Sequence, residues 1–259
     1  MIHRILSDRP TRLFVLLASF FVANALIAEC IGTKLFSLER LLGLEPDPFS
    51  LFGEEGLTYT LTAGVILWPL EFVMTDIVNE YYGKKAVRHI SYLAVGLITY
   101  AFLMFYLAIM VPADQSFWVG SRAGDGIPDM QMAFSGIFGQ GMWIIAGSLT
   151  AFLVSQILDV YIFHKIKERT GEKHIWLRAT GSTVVSQLVD SFVVLFIAFK
   201  IGQDWSWQRV VAICRVNYSY KFLMAILLTP AIYLLEARIN KYLGREVADE
   251  MKKAAMNRG

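Results

Sequence analysis

Six stretches of this chain, at about residues 13–33, 59–79, 90–111, 142–163, 180–200 and 212–235, are long and almost wholly apolar. A helix rises about 1.5 Å per residue, so about 20 such residues cross roughly 30 Å of hydrocarbon. No stretch shows strand alternation, and unpaired backbone in lipid is too costly for anything except helices or a closed barrel. The expected fold is therefore an all-α membrane protein with six transmembrane helices. Composition agrees: 56% of the 259 residues are hydrophobic and the mean hydropathy is +0.50, with charge gathered between the apolar runs. Soluble domains rarely combine these features.

The first run follows Arg4, Arg9 and Arg12 and contains Ala23-Asn24-Ala25, which raises the question of a cleaved signal peptide. It is longer than a usual signal core, and Ala28-Glu29-Cys30 lacks the small residue that a lipoprotein site needs before its Cys. With five more spans downstream, a retained helix is expected. Orientation follows from Lys and Arg, which are in excess in cytoplasmic segments. Seventeen of them, from Arg4 and Arg12 through Lys84, Lys85, Arg88, Lys165, Lys167, Arg169, Lys173 and Arg178 to Arg245 and Arg258, fall on one side; four, Arg40, Arg122, Lys200 and Arg209, fall on the other. Both ends are expected in the cytoplasm, with one membrane domain over residues 1–243 and a polar, helical or frayed tail over 244–259. The second half of the long 112–141 loop, with Met132, Phe134 and Phe138, suits a short amphipathic helix in the interface. A net charge of +2, with no basic stripe, argues against a nucleic-acid partner. Cys30 and Cys214 form no disulfide framework, nothing has metal-ligand spacing, and no cofactor is expected.

Ionisable groups inside a span cost at least ~2.5 kcal/mol each, so several of them argue for a polar interior that faces away from lipid. Asn24, Glu71 and Asp190 fall near mid-span, where a transporter site is expected. Asp76 and Asp159 lie roughly 10 Å nearer the cytoplasm at helical rise. Lys34, Arg215 and Lys221 sit toward the outside, where they can meet Glu29. Two pentads repeat, Ser-Gln-Ile-Leu-Asp at 155–159 and Ser-Gln-Leu-Val-Asp at 186–190. Ser and Asp four apart share a helix face; because the two helices run in opposite directions, the pentads should face each other head to tail. Ser, Gln and Asn often serve only to bind helices together, whereas lone carboxylates do so poorly unless matched by Lys221 or Arg215. From Asp76 to Arg88, Gly83 suits a helix end in a charge-capped turn.

Pro69 through Thr75-Asp76-Ile77, Glu80 and Tyr82-Gly83, then Ala151-Phe152 with Ser155-Gln156 and Asp159, then Arg178, Ser182, Ser186-Gln187 and Asp190, and finally Lys221 and Pro230, occur in order over about 150 residues. In this pattern the chain resembles the queuosine precursor transporter family, part of the vitamin uptake transporter group. The resemblance implies a fold similar to the substrate-binding subunits of energy-coupling vitamin transporters. It also implies a bacterial cytoplasmic (inner) membrane location and uptake of 7-deazaguanines, such as 7-cyano- and 7-aminomethyl-7-deazaguanine or queuine, for tRNA modification. The expected partners are a small heterocyclic base and the lipid bilayer, with the chain acting alone or as a homodimer. The residues expected to bind substrate are Asn24, Glu71, Gln156, Asp159, Gln187, Asp190 and Lys221, with Asn24 and Glu71 chosen by depth; Asp76, Glu80 and Arg178 are expected to couple ions or gate.

The chemistry is consistent. A guanine-like edge offers adjacent N–H donors that a carboxylate accepts in pairs, an amide can serve the neighbouring carbonyl, and Trp68, Phe72 or Phe192 can stack on the ring. An enzyme is not expected, because no His-Glu-x-x-His or Gly-x-Ser-x-Gly pattern occurs. The alternative that remains is a binding subunit of an ATP-driven vitamin transporter for another heterocycle. This chain has no phosphate-binding Gly-rich loop of its own.

Overall fold

The structure, a computed structural model, describes residues 8–171 and 174–257; Arg4, Lys173 and Arg258 of the charge count lie outside them. Helix α1 (Arg9–Ile31) starts where the Asp8 carboxylate accepts from the Thr11 amide at 2.9 Å, with proline in the first turn. The chain then forms two small antiparallel sheets of two strands each, one nested within the other in sequence. β1 (Leu35–Ser37) pairs with β4 (Thr60–Thr62), and β2 (Phe49–Leu51) pairs with β3 (Glu54–Leu57). Strands this short carry too little alternation to be read from sequence. They correct the expected second span, which becomes helical only at Trp68, after β4 and a 3₁₀ turn over Ala63–Ile66.

Among the described residues, five helices are long and apolar enough to cross a membrane, against the six spans expected: Arg9–Ile31, Trp68–Met110, Met130–Thr170, Ile175–Ile201 and Trp207–Leu227. The difference lies in α2 (Trp68–Met110), whose 43 residues would span about 65 Å if straight, twice the bilayer. It is not straight, because Gly83 (φ 78°, ψ 176°) breaks it into limbs 68–82 and 84–110. Asn24 of α1 holds the carbonyl of Leu67 at the start of the first limb, and Tyr82 at its end donates to the carbonyl of Pro10. The second limb returns: Gln131 caps the Ile109 carbonyl, while Gln140 reaches the carbonyl of Glu29, at the far end of α1. α2 is thus a hairpin whose limbs share a core with Phe21 and Ala25, through Met74 and Val78 on one and Ile90, Ala94 and Ile98 on the other.

Beyond it lie α3 (Met130–Phe138), α4 (Met142–Thr170), α5 (Ile175–Leu195, continued by a π-turn Phe196–Ile201) and α6 (Trp207–Leu227). The expected last span is also corrected: its helix ends before Pro230 and restarts as α7 (Thr229–Leu243), since proline withholds a donor and crowds the preceding turn. Arg9 donates to the Tyr242 carbonyl, which places the start of α1 and the end of α7 at one end of the bundle, with Gly83.

The tail is a docked helix, α8 (Arg245–Asn257), with Ala248 and Ala255 buried and Lys252 paired to Glu236 over the Tyr81 ring. A Cβ on Gly83 would stand 2.9 Å from the Ala255 carbonyl oxygen, in a backbone region that is essentially closed to other residues. Gly83→Ala is therefore expected to destabilise the fold by about 1–3 kcal/mol. The change would be read as a lower melting midpoint in detergent together with faster proteolysis after Gly244.

Candidate functional site

The first limb of α2 carries a polar stripe into the bundle: Trp68 and Glu71, then Thr75 and Asp76, then Asn79 and Glu80. At helical rise these cover about 18 Å in three rungs. α4 and α5, antiparallel, supply the partners. The two pentads meet head to tail: Ser155 Oγ donates to Asp190 Oδ1 at 3.3 Å, and Ser186 Oγ donates to Asp159 Oδ1 at 3.0 Å.

In the outer rung, Asn24 Nδ2 donates to Glu71 Oε2 at 2.8 Å. Lys221, 3% exposed, forms an ion pair with Asp190, and its ammonium lies 4.0 Å from the Trp68 ring centroid. Carboxylate and indole face together make a cradle for a cation, which Lys221 occupies. Farther out Glu29 accepts from Ser148, not from Lys34, and Arg215 is exposed.

The middle rung holds Gln156, whose Nε2 donates to Thr75 Oγ1 at 3.3 Å, with Asp159 and the buried Asp76. The inner rung is an ion triad. Arg178 grips Glu80 with Nε and Nη2 at 3.1 and 2.8 Å, and Lys167 Nζ approaches Glu80 at 3.0 Å. Beside it, His164 Nε2 and Asn79 Oδ1 are 2.8 Å apart.

All but one of the residues expected to carry the site therefore join one buried ladder. Gln187 does not: it is half-buried and makes no hydrogen bond among the described residues, so the two pentads share the ladder through their Ser and Asp, and only the first also through its Gln. Lys167, His164 and Asn79 belong to the ladder without having been expected there. Lys167 could have been found from the stripe 156–159–163–167, which marks one face of α4.

The ladder is closed on itself. The recess that touches Gln156, walled by Val87, Arg88, Ser91, Leu153 and Val160, is a shallow groove without enclosed volume and not a chamber that holds a base. Hydrogen bonding is also unbalanced. Among the described residues, Glu71 Oε1, Asp76 Oδ1, Gln156 Oε1 and Asp159 Oδ2 are buried acceptors without donors, against one unpartnered amide donor, Asn79 Nδ2, and the Ser191 hydroxyl.

Residues 62–235, which include every ladder residue except Asn24, match the protein family described as "Putative vitamin uptake transporter". A "Probable queuosine precursor transporter" of Bacillus subtilis (strain 168) is 32% identical over 187 residues, 71% of this chain and 74% of that protein. The "Queuosine precursor transporter" of Escherichia coli (strain K12) is 26% identical over 194 residues, 72% of this chain and 75% of its own length. No solved structure matches the chain.

Proposed function

Since this chain belongs to the vitamin uptake transporter family, we propose that it carries queuosine precursors, 7-deazaguanine bases such as the 7-cyano and 7-aminomethyl forms or queuine, across the bacterial cytoplasmic membrane for tRNA modification. The transporter names of its relatives support the general class. The observation that carries the substrate assignment is the surplus of buried acceptors. A buried polar atom without a partner costs about 1–3 kcal/mol, more when charged. Oxygens left in that condition suit a ligand that arrives with donors.

A deazaguanine brings N1–H and the 2-amino group side by side, which a carboxylate takes in pairs. Glu71, steadied by Asn24, is the acceptor for that edge, and Gln156 serves the neighbouring positions. Trp68, one turn before Glu71, offers the ring to stack on. Lys221 now covers Trp68 and holds Asp190, so the base gains both only when Lys221 swings aside. The closed ladder is the resting arrangement. The chain acts alone or as a homodimer, without an ATP-driven partner.

Binding of a small panel of bases to the purified protein tests this reading. Deazaguanines are expected to bind at least about tenfold more tightly than adenine, because a site built for hydrogen bonds rejects analogues that leave its polar groups unpaired. Indifference across the panel would remove the substrate assignment. Uptake by this chain in cells that neither make deazaguanines nor hold a partner ATPase separates it from the subunit alternative.

A further inference from the structure

The outer rung pairs Asp190 with Lys221 and Glu71 with the Asn24 amide, and the inner triad surrounds Glu80 with two cations. The middle rung has no such balance. Asp76 is 3% exposed and Asp159 6%, and neither Asp76 Oδ1 nor Asp159 Oδ2 has a donor among the described residues. The charged and titratable groups around Asp76 are Glu71 and Glu80 on its own limb of α2, Lys84 and the exposed Arg88 on the second limb, Asp159, His164 and Lys167 on α4, and Arg178 on α5. The remaining packed helices bring groups that are already engaged: Glu29 with Ser148 and Arg9 and Arg12 with Tyr242 on α1, Lys221 with Asp190 on α6, and Glu236 with Lys252 on α7 and α8.

Across the middle rung and the triad there are three carboxylates, Asp76, Glu80 and Asp159, and two cations, Lys167 and Arg178. Among the described residues these three carboxylates outnumber the two buried cations by one; Arg88, which lines the groove beside Gln156, is exposed, and His164 is bonded to Asn79. Gln156 points to the same deficit independently. It is 9% exposed, one turn before Asp159; its nitrogen is held by Thr75, next to Asp76, and its Oε1 has no donor. One oxygen on each of two carboxylates and one amide oxygen are thus buried on this rung without a donor among the described residues.

Sodium fits poorly. Transporter sites for that ion recruit carbonyls from unwound helix, whereas residues 68–82 of α2 and all of α4 are continuous helix. We propose that Asp76 and Asp159 share a single proton, and that this proton crosses with the substrate, taken up from water at the Glu29 end and released to water at the Gly83 end. An O–H bond to a carboxylate oxygen forms on loading and breaks on release, and nothing else changes covalently. Buried carboxylates that sense each other do not both stay ionised.

The proton itself can be read without any base, so this test stands apart from the carrier reading. Infrared difference spectra of the purified native protein at neutral pH are expected to contain a protonated-carboxyl C=O component that both Asp76→Asn and Asp159→Asn remove. A spectrum that neither variant alters would overturn the proposal. In liposomes holding native protein, with membrane potential clamped, an inward proton gradient should accumulate 7-cyano-7-deazaguanine about tenfold per pH unit, since each 1.4 kcal/mol is a factor of ten. Accumulation driven by sodium, or indifferent to both gradients, would also overturn it. Should no base bind or enter at all, the carrier reading fails and the infrared result alone decides the shared proton.

Discussion

Asp190→Asn is expected to reduce deazaguanine uptake about a hundredfold while the protein still reaches the membrane. The substitution keeps the shape of the side chain and its bond from Ser155, but removes the negative charge that holds Lys221. An ammonium that is 3% exposed and seated on the Trp68 ring then lacks its counter-ion. Truncating one member of a buried, hydrogen-bonded charge pair costs about 2–5 kcal/mol, much of it from the charge left behind. Initial rates with labelled base, normalised to membrane abundance, measure the effect. Lys221→Met combined with Asp190→Asn should recover abundance and thermal stability relative to Asp190→Asn alone, because the stranded charge is gone, yet remain inactive. Such non-additivity is expected of neighbours in contact. Full activity in Asp190→Asn would exclude Asp190 from the site.

The membrane helices were legible because apolar runs of about 20 residues have few other uses. Their joints were less so. Gly83 reads as a helix end, but a glycine does not say that the next helix folds straight back; that is fixed by Tyr82 on Pro10 and by the second limb sharing the α1 core. Pro230 announces the break between α6 and α7, although apolar residues run through it. The two small sheets of residues 35–62 depend on pairings between segments too short to carry a period.

Within the site, the two pentads exposed the Ser–Asp rungs because spacing alone fixes the shared face and antiparallel helices fix the order. Lys167 was hidden by the excess of Lys and Arg that orients the chain. That criterion treats each Lys and Arg near the end of a span as facing water, whereas Lys167 and Arg178 are both 1% exposed. Among the described residues, positive groups at one end of this bundle thus do two jobs: most face out, while Lys167 and Arg178 anchor the interior and the buried Lys252 holds the tail helix. Pattern does not separate the two groups; the position of Glu80 between α4 and α5 does.

Glu80→Gln tests that anchoring and should have the largest effect on the fold. The carboxylate is fully buried and takes Arg178 through two nitrogens and Lys167 through one, so it ties together α2, α4 and α5. Glutamine fills the same space, but its amide offers one oxygen and no charge to two buried cations. Removing one partner of a buried ion pair costs about 3–5 kcal/mol, a large share of the stability of a typical domain. We expect low membrane abundance and a sharply reduced melting midpoint, in contrast to Asp190→Asn, where the damage falls on transport. Glu80→Asp keeps the charge but shortens the reach, so it should recover part of the stability. If Glu80→Gln instead melts like the native protein and only transport changes, the triad is a gate that opens between conformations rather than a fixed tie.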